Sequence, residues 1–234
     1  MLCSLLLLSS CIVNFRKIKP SDVIVEKEYR QEAFDKIEIN VTANAKFVQS
    51  AEGDYRVVLS APENYHELFK MAVNEEEKLE VDFKKHNTNI ETDDVKLTIY
   101  SPTLHELVNA GVGRFVIDSL NTPVLMVENA GVGALTMKGL HLSMADIRCS
   151  GVGNMDLSGE TVRAKMECSG VGNINAANLK ARALKAEVSG VGGIQCYATD
   201  SLKAEVSGVG SLKYAGEPHF KKLNSSGIGK VSPL

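Results

Sequence analysis

The sequence predicts an all-β protein built as a single-stranded parallel β-helix, with coils of about 20 residues. Three observations carry the prediction. Seven Gly-Val/Ile-Gly triplets recur in the last 130 residues, at intervals of 20, 20, 19, 20, 18 and 19. The residues on either side of each triplet alternate between apolar and polar, the mark of strands with one buried face. No repeat leaves room for the helix of a βαβ unit. The composition agrees: Trp is absent, aromatics are 6% and glycine reaches 19 residues, so the core must be layered from aliphatic side chains.

The elements follow in chain order. Residues 1–10 read as a lipoprotein-type signal peptide: Leu5–Leu8 is a short apolar run, and Leu8-Ser9-Ser10-Cys11 resembles a lipobox. The run is too short to span a bilayer as a helix. No Lys or Arg precedes it, as a signal would require, so the true start is expected upstream. Cys11 is the expected lipidation site, and two or three acyl chains there would anchor the protein stably. Residues 11–32, with Arg16, Lys17, Lys19 and Pro20, read as lipidated Cys and tether.

From 33 to 234 the chain reads as one β-solenoid head, with 33–104 as N-terminal cap and early coils and 105–234 as the Gly-x-Gly repeats. Strands are expected at Phe34–Asn40, Lys46–Ser50, Tyr55–Ser60, Lys78–Phe83 and Val95–Tyr100. Ala51–Asp54 reads as a turn and Pro62–Met71 as one short helix. A cap is needed because open strand edges invite aggregation.

The repeat corners are Gly111 and Gly113, Gly131 and Gly133, Gly151 and Gly153, Gly170 and Gly172, Gly190 and Gly192, Gly208 and Gly210, and Gly227 and Gly229. Four residues before the first Gly stand Leu107, Val127, Ile147, Met166, Ala186, Ala204 and Leu223. Two before it stand Asn109, Asn129, Cys149, Cys168, Val188, Val206 and Ser225. Four after it stand Phe115, Leu135, Met155, Ile174, Ile194, Leu212 and Val231. Gly-x-Gly is expected to shift the phase between the two flanking strands, as a sharp corner does. The central valines are expected in the core, so that replacing Val152 or Val171 would damage it. The side-chain-poor glycine stripe suggests close backbone approach across a homo-oligomer interface, which a tolerated Gly153→Glu would argue against. One coil buries about four to six side chains at roughly 1.5–3 kcal/mol each, while ordering its residues costs roughly 1–2 kcal/mol apiece. No coil stands alone, so neighbouring coils must match.

The remaining motifs read as structure rather than chemistry. Dinucleotide binding needs a third Gly and a following helix, and neither is present. Calcium-binding nonapeptides need a regular Asp at half this period, and the leucine-rich signature is missing. Lys165/Glu167, Lys185/Glu187 and Lys203/Glu205 recur in register and read as outward ladders in which each Lys offsets stacked carboxylates. Acidic residues 75–77 and 93–94 fall in expected turns. His66, His86, His105, His141 and His219 show no metal-ligand spacing and read as surface residues. Cys149 and Cys168 share one inward column, close enough for a disulfide but more simply stacked thiols continuing into Val188 and Val206. No catalytic residue, metal site or cofactor is expected.

Phe34-Asp35-Lys36-Ile37-Glu38-Ile39, Leu79-Glu80-Val81, Ser101-Pro102-Thr103-Leu104-His105-Glu106-Leu107 and the Gly-x-Gly run together resemble the auto-transporter adhesin, head GIN domain family. The resemblance spans about residues 33–234. It implies a bacterial lipoprotein, of the kind common in Bacteroidota, with a β-helical body and a role in adhesion. The family defines no catalytic residues, so the resemblance implies none here.

The functional expectation is a non-catalytic cell-envelope lipoprotein: an adhesin or binding module that presents a solenoid face to a protein or glycan ligand. It would be held to the outer membrane by its lipid. A net charge of −3 argues against nucleic acid. Two alternatives stand beside it. One is a polysaccharide lyase or hydrolase, for which Asp146, Arg148, Asp156 and Arg163 are the nearest approach to a site. The other is an envelope scaffold or stress-related component.

Overall fold

Alternating apolar residues leave each strand one face to bury, and the chain buries it by winding. The computed structural model describes residues 17–85, 88–91 and 94–234. The strands are β1 (Ile24–Arg30), β2 (Lys36–Ile39), β3 (Asn44–Gln49) and β4 (Arg56–Pro62), then a 3-10 helix (Glu63–Leu68). Next come β5 (Phe69–Val73), β6 (Lys78–Phe83), β7 (Lys96–Ser101), β8 (Glu106–Asn109), β9 (Val112–Ile117) and β10 (Leu120–Asn129). Four long strands follow, β11 (Val132–Cys149), β12 (Val152–Cys168), β13 (Val171–Val188) and β14 (Val191–Val206). The chain closes with β15 (Val209–Ala215), β16 (Phe220–Ser225) and β17 (Lys230–Pro233). The parallel β-solenoid predicted from the repeat is the fold observed.

Each long strand bends through more than one arm of a coil. In β12, residues 152–156 pair with β11 and β13 along one arm, 159–161 along a second, short arm and 163–168 along a third, with a register shift after the first and Val162 unpaired at the next corner. Equivalent residues stack coil on coil: Met166 pairs with Ile147 and Ala186, and Cys168 with Cys149 and Val188. These inward columns are buried through Val206; Leu223 and Ser225 continue them on the last coil but are exposed.

The Gly-x-Gly corner differs from expectation. Offsets of −4, −2, 0, +2 and +4 from the first Gly are all even, so the alternation runs through the triplet without a phase shift. The glycines take the inward phase and the central residue points out. Val152 and Val171 are 50% and 52% exposed, and Val112, Val132, Val191 and Val209 match them. They are not core residues. The phase changes elsewhere, where two consecutive residues lie outside the core, as at Ser143–Met144 and Val162–Arg163.

The glycines are required from within the chain. At Gly153, φ is +153°, and a Cβ would overlap the carbonyl oxygen of Gly133 in the preceding coil. Backbone bonds run through the corner: the Val152 N–H donates to Gly131 O at 2.9 Å, and the Gly151 N–H to Asn129 O at 2.9 Å. The close approach expected between two copies is thus made between successive coils of one chain.

The N-terminal region starts the solenoid out of sequence order. β2 lies between β6 and β8, and β3 between β7 and β9, all parallel. The chain lays down β2–β3, turns back through antiparallel β4 and β5, adds β6–β7 outside, then crosses to β8–β9. The expected short helix is a 3-10 turn followed by β5. The tether assigned to 11–32 is shorter than expected: β1 pairs antiparallel with β4 from Ile24↔Pro62 to Arg30↔Arg56. Residues just before it are docked too. Tyr65 Oη donates to Ile18 O at 2.8 Å, Asn64 Nδ2 to Lys19 O at 2.9 Å, and Lys17 pairs with Glu91 at 3.0 Å. Cys11 and residues 1–10, expected as a signal peptide, lie outside the described residues.

Candidate functional site

The inward columns are occupied by packing, so function has to be sought on the outward ones. Asn109 Nδ2 donates to Asn129 Oδ1 at 2.8 Å inside the second column, below which sit Cys149 and Cys168. Both thiols are free and buried, and each donates to a corner glycine carbonyl, Gly153 O and Gly172 O. Contact with the Cys149 sulfur, then burial, push the Cys168 thiol up. Burial pushes Cys196 up to about 12. All three thiols sit in the core as packing groups.

The sequence-predicted groups fall as follows. The fourteen corner glycines are structural throughout. Asp146 and Arg148 form an ion pair at 2.9 Å on β11, and Asp156 points from the other arm, where it accepts from Asn175 Nδ2 at 3.1 Å. Arg163 stands at a corner with no acidic partner among the described residues. The residues a lyase would need are therefore not gathered. His105 bonds Asp35 at 2.8 Å and His141 bonds Glu160 at 3.0 Å. His66 corrects the surface reading: it is buried, between Tyr29 Oη at 3.1 Å and Val25 O at 3.0 Å. Glu76 and Glu77 lie in the turn between β5 and β6, while His86 and Asp93 fall outside the described residues.

Three outward features remain. The central valines form a ridge along the corner, one per coil. A shallow groove of about 520 Å³ crosses the short arm over Asn121, His141, Glu160 and Lys180. The third feature is the charged face. Here Lys165 pairs with Lys185, Lys185 with Lys203 and Lys203 with Lys222 in the strand register, so one lysine row spans four coils. Beside it runs Glu167, Glu187 and Glu205, then Asn224. Lys165–Glu167 and Lys185–Glu187 are 3.5 and 3.7 Å apart. The ladder read from the sequence is real, and it changes character at its end.

The comparisons agree with this geometry. Residues 33–218 match the family model described as "Putative auto-transporter adhesin, head GIN domain". A crystal structure of a putative adhesin from Bacteroides fragilis is 35% identical, covering 93% of this chain and 100% of that one, with a TM-score of 0.89. A putative lipid binding protein from Parabacteroides distasonis shares the fold at 22% identity and a TM-score of 0.73, over 94% of this chain and 100% of that one. A putative adhesin from Parabacteroides merdae does so at 18% and 0.68, over 93% and 99%. No curated protein matches the chain.

Proposed function

The chain belongs to the "Putative auto-transporter adhesin, head GIN domain" family, and from that premise we propose that it is a non-catalytic binding module of the cell envelope, lipid-anchored through Cys11. The observation that carries this reading is the division of labour within each coil. Inward positions hold aliphatic, aromatic, thiol and amide groups that pack or bond one another. Outward positions repeat in register from coil to coil, which makes a long, rigid surface suited to contact with an extended partner. Among the described residues no helix is long and apolar enough to cross a membrane. The anchor supplies attachment, and the solenoid supplies reach.

Reach can be estimated. Along one arm eleven strands stack, from β1 through β4, β7, β3, β9 and β11 to β15 and β17. At about 4.8 Å per strand the two ends stand about 50 Å apart. The end nearest Cys11 in sequence is the β1 end, so the β17 end is distal to the anchor. The test is surface labelling and cross-linking of the protein in its native envelope, with Cys11→Ala as control. Labelling from outside, lost from the membrane fraction in Cys11→Ala, is the expected result. A protein reached only after the outer membrane is opened, and cross-linked only to envelope machinery, overturns it in favour of a scaffold.

A further inference from the structure

We propose that the groove at the distal end of the charged face binds a linear acidic glycan, one bearing a carboxylate or sulfate along its length. This rests on the binding-module reading and names the ligand class. The groove has a volume of about 640 Å³, within the range of sites that hold a small oligosaccharide. Its floor is the row Ala183–Ser201, small residues in register between Arg163 at one end and Phe220 at the other. Large side chains at the ends and small ones between make a trough that runs across the strands, along the solenoid axis. Four residues at one strand spacing give it a length of about 14 Å.

The chemistry of the walls selects the ligand. Lys185, Lys203 and Lys222 line one side at the coil spacing, a repeat close to that of sugars in an extended pyranose chain. Carboxylates offset the charge on this side only in part: Lys185 pairs with Glu187 at 3.7 Å. Asn224 stands where the other coils carry Glu, and Lys203, Lys221 and Lys222 have no carboxylate partner among the described residues. From residue 206 onward the chain holds Lys213, Lys221, Lys222 and Lys230 against Glu217 alone. Separate exposed ion pairs contribute little, but several like charges in one trough attract a polyanion together, and salt screens that attraction. Phe220, 71% exposed at the end of the trough, offers an apolar ring face on which a pyranose can lie. A flat anionic membrane would not use a trough, and a periodic row of single cations suits a chain with one charge per repeat.

The test is titration of the protein with polygalacturonate, a sulfated glycan such as heparin, methyl-esterified pectin as the uncharged control, and vesicles containing phosphatidylglycerol. Expected is saturable binding to one or both acidic glycans that weakens as salt rises, with none to the ester. Which of the two binds identifies carboxylate or sulfate as the group read. Lys185→Gln/Lys203→Gln/Lys222→Gln should weaken binding at least about tenfold, and Phe220→Ala about threefold. Lys27→Gln/Lys36→Gln, at the far end, should leave it unchanged. All five lysines are surface residues whose loss leaves the fold intact, as circular dichroism checks. Binding to neither glycan, equal binding by the two lysine variants, or binding to vesicles alone overturns the proposal. A surface-exposed protein that binds neither glycan refutes the ligand class and leaves the binding-module reading standing. A protein confined to the periplasm that binds an acidic glycan does the reverse.

Discussion

The two ends of the solenoid close differently. At the N-terminal end, β4 and β5 turn antiparallel, β1 covers β4, and a 3-10 turn seats Tyr65 and His66 in the interior. Residues 17–21 are hydrogen-bonded over that end. At the C-terminal end, all six residues of β16 are exposed, and the last coil leaves Phe220, Leu223 and Ile228 in solvent. One end shields its core with antiparallel strands and a docked segment, leaving the largely exposed β1 as its edge. The other keeps an open edge with lysines on it. A solenoid of this kind can carry a partner at the end whose surface is not spent on its own closure.

Substitutions along the solenoid should separate its two ends and its body. The largest effect is expected at the glycines of the middle coils. Gly153→Ala forces a Cβ into the Gly133 carbonyl, with a coil packed on each side, and should cost more than about 3 kcal/mol in a denaturant titration. Gly227→Ala makes the same kind of clash with Gly208, but no later coil locks it, and it should cost about 1 kcal/mol. Equal costs would mean that the last coil is as fixed as the middle. Met166→Ala, in a filled inward column, should lose about 2–5 kcal/mol.

Hydrogen exchange then grades the two ends. Amides of β16 and β17 should open with free energies about 2–3 kcal/mol below those of β12 and β13, while those of β6 and β7 stay near the body. Tyr65→Phe removes the bond to Ile18 O and should cost about 1 kcal/mol, felt as faster exchange at the N-terminal end alone. The smallest effect belongs to the ridge: Val171→Asp should change stability by no more than about 0.5 kcal/mol. A loss as large as that of Met166→Ala would return the central valine to the core.

That last contrast shows what was legible in the sequence. The inward columns could be read because Leu107 to Ala204 and Phe115 to Leu212 repeat their apolar character coil after coil. The outward valines were legible too, since an offset of +1 shares its phase with Glu128 and Arg148 at −3. The apolar type of the residue outweighed its phase, because an exposed valine is common on strands and carries no signal of its own. β1 was missed because Ile24-Val25-Glu26-Lys27-Glu28 buries almost nothing: it is an edge strand held by backbone bonds to β4. The insertion of β2 between β6 and β8 leaves no local trace, since it depends on which parallel neighbours pack best. Of the candidate site, the lysine ladder was visible as far as Lys203. Lys222 stands at the same offset of five residues before the corner glycine, but Asn224 replaces the Glu that marks the pair in the other coils, so the repeated Lys/Glu signal stops one coil early.

On the proposed reading the partner meets this protein at its open, lysine-bearing end. The direct measurement is a cross-linking scan in the native envelope, with a photoreactive residue placed singly at Ser201 and Asn224 near the distal trough, at Val152 and Val171 on the ridge, and at Lys27 on β1. Capture from Ser201 and Asn224, with Val152, Val171 and Lys27 silent, is the predicted result. Capture from Lys27 with the distal positions silent would contradict it and move the binding surface to the closed end.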